Sequence, residues 1–249
     1  MIHGFTGSPN ELLDLRDFLV SKNLTVSVPT LPGHGTYSGD LFNYTWKHWF
    51  EQVKAAYFEL CEQCEEIYVC GLSMGGTLAL HLAAHKPVNG VVALAAPVNF
   101  PTWKKLSVRL LKGVYKYRHK RGGEDVRDQS AKPKLGSYQR YPYIAVVQLF
   151  RLVEHVREDL SEISQPILVM HSQQDHTVDF HNAQIIMESV HSTAKRLVEL
   201  RNSYHVITVD YDKTTVMEEV FKFVQMHSKS LKRKAGSSKL TSVGKQRAQ

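Results

Sequence analysis

A serine set between glycines is the strongest chemical signal in the sequence. Residues 71–76 read Gly-Leu-Ser-Met-Gly-Gly, follow a short apolar segment at 67–70 and precede an apolar helical pattern that runs to His85. A Gly-x-Ser-x-Gly turn between a strand and a helix lifts the serine hydroxyl above the end of a sheet, where it can act as a nucleophile. We therefore predict that Ser73 is a catalytic nucleophile. The alternative is a glycine-rich turn in which Ser73 only caps the helix.

A nucleophilic serine needs a base that takes its proton and an acid that orients the base. In this motif class the three residues follow the chain order serine, acid, histidine. Asp175 lies in the loop after a predicted strand at 166–170, and His205 lies between the last predicted strand and the last predicted helix. Asp175 and His205 are therefore the predicted acid and base. Asp179 is the alternative acid, although it falls where the next helix should begin and could be its cap.

Acyl transfer also needs two N–H donors for the negative charge that develops on the carbonyl oxygen. One donor is the residue after the nucleophile, and the other belongs to a loop after an early central strand. The predicted donors of this oxyanion hole are the backbone N–H groups of Met74 and Phe5. Phe5 stands in the segment His-Gly-Phe-Thr-Gly at 3–7, whose glycines let the backbone turn back toward a substrate.

The elements that must position these residues alternate between helical and extended patterns. Helices are predicted at 9–21, opened by a Ser8–Glu11 capping box, and at 45–64, 73–85, 183–190 and 215–226. Strands are predicted at 24–28, 67–70, 91–95, 166–170 and 196–200. Such alternation predicts an α/β fold with a mainly parallel sheet and helices on both faces. Because only two residues precede His3, we expect the first central strand to be truncated.

The alternation breaks between about residues 99 and 165. Apolar residues in this stretch recur at helical spacing, first at Leu106, Leu110 and Val114 and then between residues 144 and 152. We therefore predict a small helical cap insertion at the carboxyl edge of the sheet, within an α/β domain that spans 1–228. An independent second domain is the alternative.

Composition and charge exclude several classes of protein. The chain has 249 residues and a net charge of +7, but seven basic residues and no acid lie in 229–249, so the rest is balanced. We predict a basic, disordered tail there and expect no nucleic-acid partner. No apolar run is long enough for a membrane span, and no signal peptide is evident. Three cysteines are too few for a disulfide scaffold and suit the cytoplasm.

Taken together, these segments resemble the α/β-hydrolases and, more narrowly, the small microbial carboxylesterase and monoacylglycerol lipase family. The resemblance covers about residues 1 to 226 and rests on HGFTGSP at 3–9, PGHG at 32–35, GLSMGG at 71–76, HVIT at 205–208 and Asp175. It implies hydrolysis of carboxylic esters with short to medium acyl chains, monoacylglycerols among them. It also implies that the cap supplies an apolar acyl pocket. No metal or cofactor is expected. Tyr204 departs from relatives, which often carry glycine before the histidine.

The sequence leaves other functions open. Thioesterases, amidases and peptidases use the same catalytic parts on small-molecule or peptide substrates. A hydrolase-like protein that is catalytically impaired by its short first strand and kept for binding is a further alternative.

Overall fold

The computed structural model describes residues 1–120 and 122–232. The α-helices in this part of the chain are α1 (Leu13–Ser21), α2 (Trp46–Cys61), α3 (Met74–His85), α4 (Thr102–Leu111), α5 (Tyr143–Asp159), α6 (His181–Ser189) and α7 (Lys213–His227). The strands are β1 (Tyr68–Leu72), β2 (Gly90–Leu94), β3 (Tyr117–His119), β4 (Arg140–Pro142), β5 (Ile167–Ser172) and β6 (Lys195–Leu200). Short 3-10 helices occupy Pro9–Leu12, Ser38–Asn43, Lys132–Lys134 and Leu160–Glu162.

Four parallel strands form the main sheet, in the order β1-β2-β5-β6. Strands β2 and β5 are buried along their whole length, which is what near-continuous apolar sequences such as Gly-Val-Val-Ala-Leu require when both faces of a sheet are covered. Ile2 adds an isolated parallel bridge to Gly71, and its N–H and C=O bond Cys70 and Leu72 at 2.9 Å each. The predicted α/β fold with a mainly parallel sheet is confirmed, and Ile2 lies beside β1 through this single bridge.

Helices cover both faces of this sheet. On one face, α2, α3, α5 and α6 contribute Trp49, Leu78, Leu152 and Ile186 to a single apolar cluster. On the other face, α1 and α7 bury leucines and valines against the opposite side of the strands. Because the helices cover the two faces, loops occupy the carboxyl edge of the sheet. Parallel α/β sheets place their functional residues at this edge.

Two local predictions are wrong. No strand forms at 24–28, although Leu24, Val26 and Val28 pack partly buried against the core. Their alternation marks a buried face, but a strand also needs a ladder of bonds to a partner backbone. Within the described residues, the Met1 ammonium donates to the Ser27 carbonyl oxygen, and no such ladder forms. The Ser8–Glu11 capping box does not close either. Ser8 accepts a hydrogen bond from the Asn10 N–H, whereas the Glu11 carboxylate turns to the Gly4 N–H.

The stretch predicted as a cap insertion has two parts. Its first part holds α4 and the antiparallel pair β3–β4, so it is not purely helical. Its second part is α5, which packs against α3 and shares the sheet's apolar cluster through Leu152 and Val156. The apolar stripe predicted for the first helix is exposed: Leu106, Leu110 and Val114 all face solvent. How far the cap extends toward residue 165 stays a prediction.

The chain end is described only to residue 232. Residues 229–232 form a helical turn, and the Lys229 N–H donates to the Glu66 carboxylate. Residues 233–249, most of the predicted basic tail, lie outside the described residues. A bilayer-crossing helix is absent from 1–120 and 122–232, since none there is sufficiently long and apolar.

Candidate active site

Ser73 sits in a strained turn between β1 and α3. Its backbone has φ 54° and ψ −122°, a conformation that non-glycine residues adopt only when their surroundings hold them there. The neighbouring glycines make the turn possible: a Cβ on Gly71 would lie 2.0 Å from the Gly75 carbonyl oxygen, and one on Gly75 would lie 2.1 Å from the Ile2 carbonyl oxygen. The spacing of glycines in the sequence thus follows from backbone segments that pass too close for side chains.

The structure brings His205 and Asp175 to this serine. His205 Nε2 lies 2.9 Å from Ser73 Oγ, and His205 Nδ1 lies 2.7 Å from Asp175 Oδ2. The three residues are 132 and 30 positions apart along the chain, so only the fold aligns them. This arrangement can pass the serine proton to the imidazole while the carboxylate fixes the ring orientation.

Asp175 is held as a buried carboxylate. Its side chain has no exposed surface, and Oδ1 accepts the N–H groups of Thr177 and Val178 at 2.8 Å each. His171 Nε2 lies 3.2 Å from Oδ2. Burial alone would raise the pKa of Asp175, but the charge of His205 and the hydrogen bonds from His171 and His205 hold it well below its usual range.

The alternative acid has a different place. Asp179 Oδ1 accepts the His181 N–H at 2.8 Å, directly at the start of α6. It therefore acts at the beginning of that helix, as the sequence suggested it could, while the carboxylate next to His205 is that of Asp175.

The loop that carries His205 is fastened by Asp125, a residue of the predicted insertion. The Asp125 carbonyl oxygen accepts the N–H groups of His205 and Val206 at 3.0 and 3.2 Å. Burial lowers the pKa of His205, but the charge and hydrogen bond of Asp175, with smaller contributions from Asp125 and Glu11, together raise it above its usual value. A raised pKa lets the ring hold a proton taken from a serine.

The loop 3–7 lies directly beside the nucleophile. A Cβ on Gly4 would lie 3.5 Å from the Ser73 Cβ. Within the described residues, neither the Phe5 N–H nor the Met74 N–H donates to another protein atom. The two predicted donors thus lie on segments next to Ser73, and their role as an oxyanion hole stays a prediction.

Two buried side chains that the sequence did not single out hold this loop. His3 Nε2 accepts the Leu31 N–H at 3.1 Å, and a Glu11 carboxylate oxygen accepts the Gly4 N–H at 2.8 Å. Burial raises the pKa of Glu11 to about 7, against a smaller lowering by the Gly4 hydrogen bond. The only sequence signal for Glu11 was its position three residues after Ser8, which indicated helix capping instead.

Apolar side chains from α2 and from the predicted insertion pack around Phe5. The Phe5 ring lies 5.4 Å from that of Tyr141 and 6.0 Å from that of Trp49, and Phe100 and Ile144 pack partly buried nearby. A cavity of about 360 Å³ is lined by Thr36, Tyr37, Ser38, His119, Tyr138, Gln139 and Arg140. The lining of this cavity includes no member of the Ser73 cluster.

Comparisons with known proteins agree with this geometry. The family model described as "Serine aminopeptidase, S33" matches residues 1–212. The chain belongs to this family. Its fold and relatives place it among the α/β-hydrolases, as the resemblance in the sequence implied.

Similar proteins include lipases and esterases. A thermostable monoacylglycerol lipase of Bacillus sp. (strain H-257) is 36% identical over 92% of this chain and 90% of its own length. A carboxylesterase of Bacillus subtilis (strain 168) is 28% identical over 90% of this chain and 91% of its own. A solved structure from the metagenome-derived lipolytic enzymes LipS and LipT has a TM-score of 0.86 and 29% identity, covering 91% of this chain and 92% of that one.

Proposed function

We propose that this chain is a serine hydrolase that cleaves carboxylic esters through an acyl-enzyme. The observation that carries the proposal is the continuous line of contacts from Asp175 through His205 to Ser73, with distances of 2.7 and 2.9 Å. Names of the relatives, a monoacylglycerol lipase and a carboxylesterase, support the same class of reaction.

The first half-reaction forms the acyl-enzyme. Ser73 Oγ attacks the ester carbonyl carbon as its proton moves to His205 Nε2, and the carbonyl electron pair moves onto the oxygen. The N–H groups of Phe5 and Met74 bind that oxyanion, an interaction worth about 2.7–4 kcal/mol for each donor in comparable sites. Asp175 stabilises the imidazolium. The C–O bond to the leaving group then breaks, and the departing alcohol takes the proton from His205.

The second half-reaction releases the acid. Water attacks the acyl carbonyl while His205 Nε2 accepts one of its protons, and the same two N–H groups bind the new oxyanion. The bond to Ser73 Oγ breaks as the proton returns from His205 to the serine. Every proton and electron pair is balanced by these residues and water.

The proposed substrates are small-molecule esters with short to medium acyl chains, including monoacylglycerols. The half-buried side chains of Phe5, Phe100 and Tyr141 offer apolar contact to an acyl chain next to the nucleophile. Burial of each methylene contributes about 0.8 kcal/mol, so a chain of several carbons gains useful affinity on such a patch.

Amide or peptide hydrolysis is the second candidate, because the matching family is described as a serine aminopeptidase. Thioester hydrolysis uses the same parts. A panel of p-nitrophenyl esters, acyl thioesters and aminoacyl anilides, tested on one preparation, separates the three. The ester proposal predicts the highest kcat/KM on the esters; a higher value on anilides would move the assignment to peptidase.

We also propose a cytoplasmic location. Cys61, Cys64 and Cys70 are free thiols, which fits a reducing compartment.

The function is tested by Ser73→Ala with a short p-nitrophenyl ester. Removing the nucleophile of such a triad lowers kcat by about 10⁶-fold, so the variant should show no turnover above that of buffer. Ser21→Ala, a change on the exposed end of α1, is the matched control and should stay within about twofold of the parent. Unchanged turnover in Ser73→Ala would remove the assignment.

A further inference from the structure

A second cluster of reactive side chains lies at the other end of the helix that begins after Ser73. His81 and His85 are one turn apart on α3, and Asp159 ends the neighbouring helix α5. One ligand atom from each of the three side chains lies within 4.8 Å of the other two. His81 is eight residues from Ser73, about 12 Å along the helix, so the cluster is separate from the triad.

We propose that His81, His85 and Asp159 bind a divalent transition-metal ion, with Zn²⁺ the best match. Two histidines at positions i and i+4 on one helix face are a recurrent metal-binding pair. Imidazole nitrogens and a carboxylate oxygen suit Zn²⁺ and its neighbours rather than Mg²⁺ or Ca²⁺, which prefer oxygen ligands alone. Three protein ligands leave one position for water.

The distances fit such an ion with a small adjustment. His85 Nε2 lies 3.3 Å from Asp159 Oδ2, close to the separation of about 3.3 Å between two ligands that each bind Zn²⁺ at about 2.0–2.1 Å. His81 Nδ1 lies 2.6 Å from the same oxygen, a hydrogen bond in which one proton joins the two atoms. The metal takes the place of that proton, and the neutral His81 ring then carries its proton on Nε2.

The surroundings of the cluster are half closed. The His81 ring is buried and lies 4.3 Å from the Phe50 ring and 5.6 Å from the Trp46 ring, both on α2. The His85 side chain is 46% exposed, so the cluster opens to solvent on that side. Within the described residues, both ion-pair partners of Asp159 are these histidines, and no lysine or arginine competes for the carboxylate.

A bound ion would clamp α3 to α5. These two helices already pack against each other on the sheet, and α3 carries the nucleophile turn at its other end. The unfolded chain has no preformed site for the ion. An ion that binds only the folded state raises the free energy of unfolding. The proposed site is therefore a stabilising one, and the chemistry at Ser73 does not require it.

The test measures Zn²⁺ binding by the full chain after treatment with a chelator. Calorimetric titration should give one tightly bound Zn²⁺ per chain, and equimolar Zn²⁺ should raise the melting temperature until EDTA is added. Co²⁺ bound at the same place should show visible absorption bands of a distorted tetrahedral site. A parent protein whose melting temperature is unaffected by equimolar Zn²⁺ would overturn the proposal.

Variants locate the ion. His85→Gln should weaken Zn²⁺ binding at least about tenfold, since even residues that only support a metal ligand usually matter that much. Because His85 is exposed, this variant should fold. Asp159→Asn removes a different ligand of the proposed site and should weaken Zn²⁺ binding as well. Affinity equal to that of the parent in both variants would overturn the proposal.

Two controls address other sites for the ion. His191→Gln removes an exposed histidine elsewhere and should bind Zn²⁺ like the parent. Cys61→Ser breaks the Cys61–Cys64 pair at the end of α2 and should also bind like the parent. If Cys61→Ser loses the ion while His85→Gln keeps it, the thiols bind the metal and the proposed site is wrong.

Discussion

Two histidine–aspartate pairs in this molecule have nearly the same geometry and different surroundings. His205 Nδ1 lies 2.7 Å from Asp175, and His81 Nδ1 lies 2.6 Å from Asp159. The two histidine rings differ in their contacts other than those with the aspartates. His205 Nε2 reaches the hydroxyl of Ser73 at 2.9 Å, whereas the His81 ring packs against Phe50. The nucleophile at the second nitrogen, and not the pair itself, distinguishes a catalytic arrangement.

The electrostatics of the two pairs diverge as well. Asp175 has no exposed surface and raises the pKa of His205 despite burial of the ring. Asp159 is 19% exposed and, like Asp175, contacts two histidines. Burial, with smaller contributions from His85 and His155, lowers the pKa of His81 against the raising effect of Asp159. The pKa of His205 therefore lies above its usual value and that of His81 below it, although each ring has a carboxylate partner.

The largest difference in kcat is expected when the aspartate of each pair is changed to asparagine. Asp175→Asn removes the charge that stabilises the His205 imidazolium and should lower kcat on a short ester by about 10⁴-fold. Asp159→Asn is the matched change in the other pair and should keep kcat within about twofold. Steady-state kinetics on both variants checks this, and equal losses would mean that both pairs affect the reaction through stability alone.

A second test concerns Glu11, whose charge also acts on His205. The folded-state pKa of about 7 lies above the usual 4.5, so between these values the folded chain holds a proton that the unfolded chain has released. Stability is thus lost as pH rises through this window, by about 3 kcal/mol in all. Glu11→Gln keeps an acceptor for the Gly4 N–H but carries no negative charge. The free energy of unfolding of this variant, relative to that of the parent, should therefore be higher at pH 8 than at pH 5.

Urea unfolding of parent and Glu11→Gln at pH 5 and pH 8 measures the difference. A free-energy difference that is the same at both pH values would show that the buried carboxyl does not titrate in this range.

The smallest expected effect is a shift in the pH profile. His205 must be neutral to accept the Ser73 proton, so kcat/KM falls as pH drops through its pKa, which lies above the usual 6.5. The residual activity of Asp175→Asn should have its acid limb at lower pH, because the charge that raises this pKa is gone. Asp159→Asn should have the same acid limb of the kcat/KM profile as the parent. A shift of that limb would show that the His81–Asp159 pair also affects the reaction.

Much of the site could be predicted from the sequence because its members are tied to element boundaries. Ser73 must follow a strand and precede a helix, and Asp175 and His205 occupy loops after later strands. Chain order and alternation therefore point to Ser73 and His205 and reduce the acid to Asp175 or Asp179. The strands β2 and β5 could also be predicted from the sequence, since continuous apolar runs between turn residues indicate buried parallel strands.

Other features depend on tertiary contacts that local patterns do not encode. Glu11 fits a capping box in sequence, but the fold brings the Gly4 N–H within 2.8 Å and the carboxylate binds there. Asp125 fastens the His205 loop across 80 residues of chain, and no spacing rule points to it. Residues 24–28 show that side-chain alternation identifies a buried face, whereas a strand also needs a partner backbone.

The proposed catalysis depends on a Ser73 hydroxyl that its neighbours make reactive. The most direct measurement is labelling of the folded protein with a fluorophosphonate probe, followed by mass spectrometry of the digested chain. We expect a single modified serine, at position 73, with labelling strongly slowed in Asp175→Asn and unchanged in Asp159→Asn. Folded protein that stays unlabelled, or a label at a different serine, would contradict it.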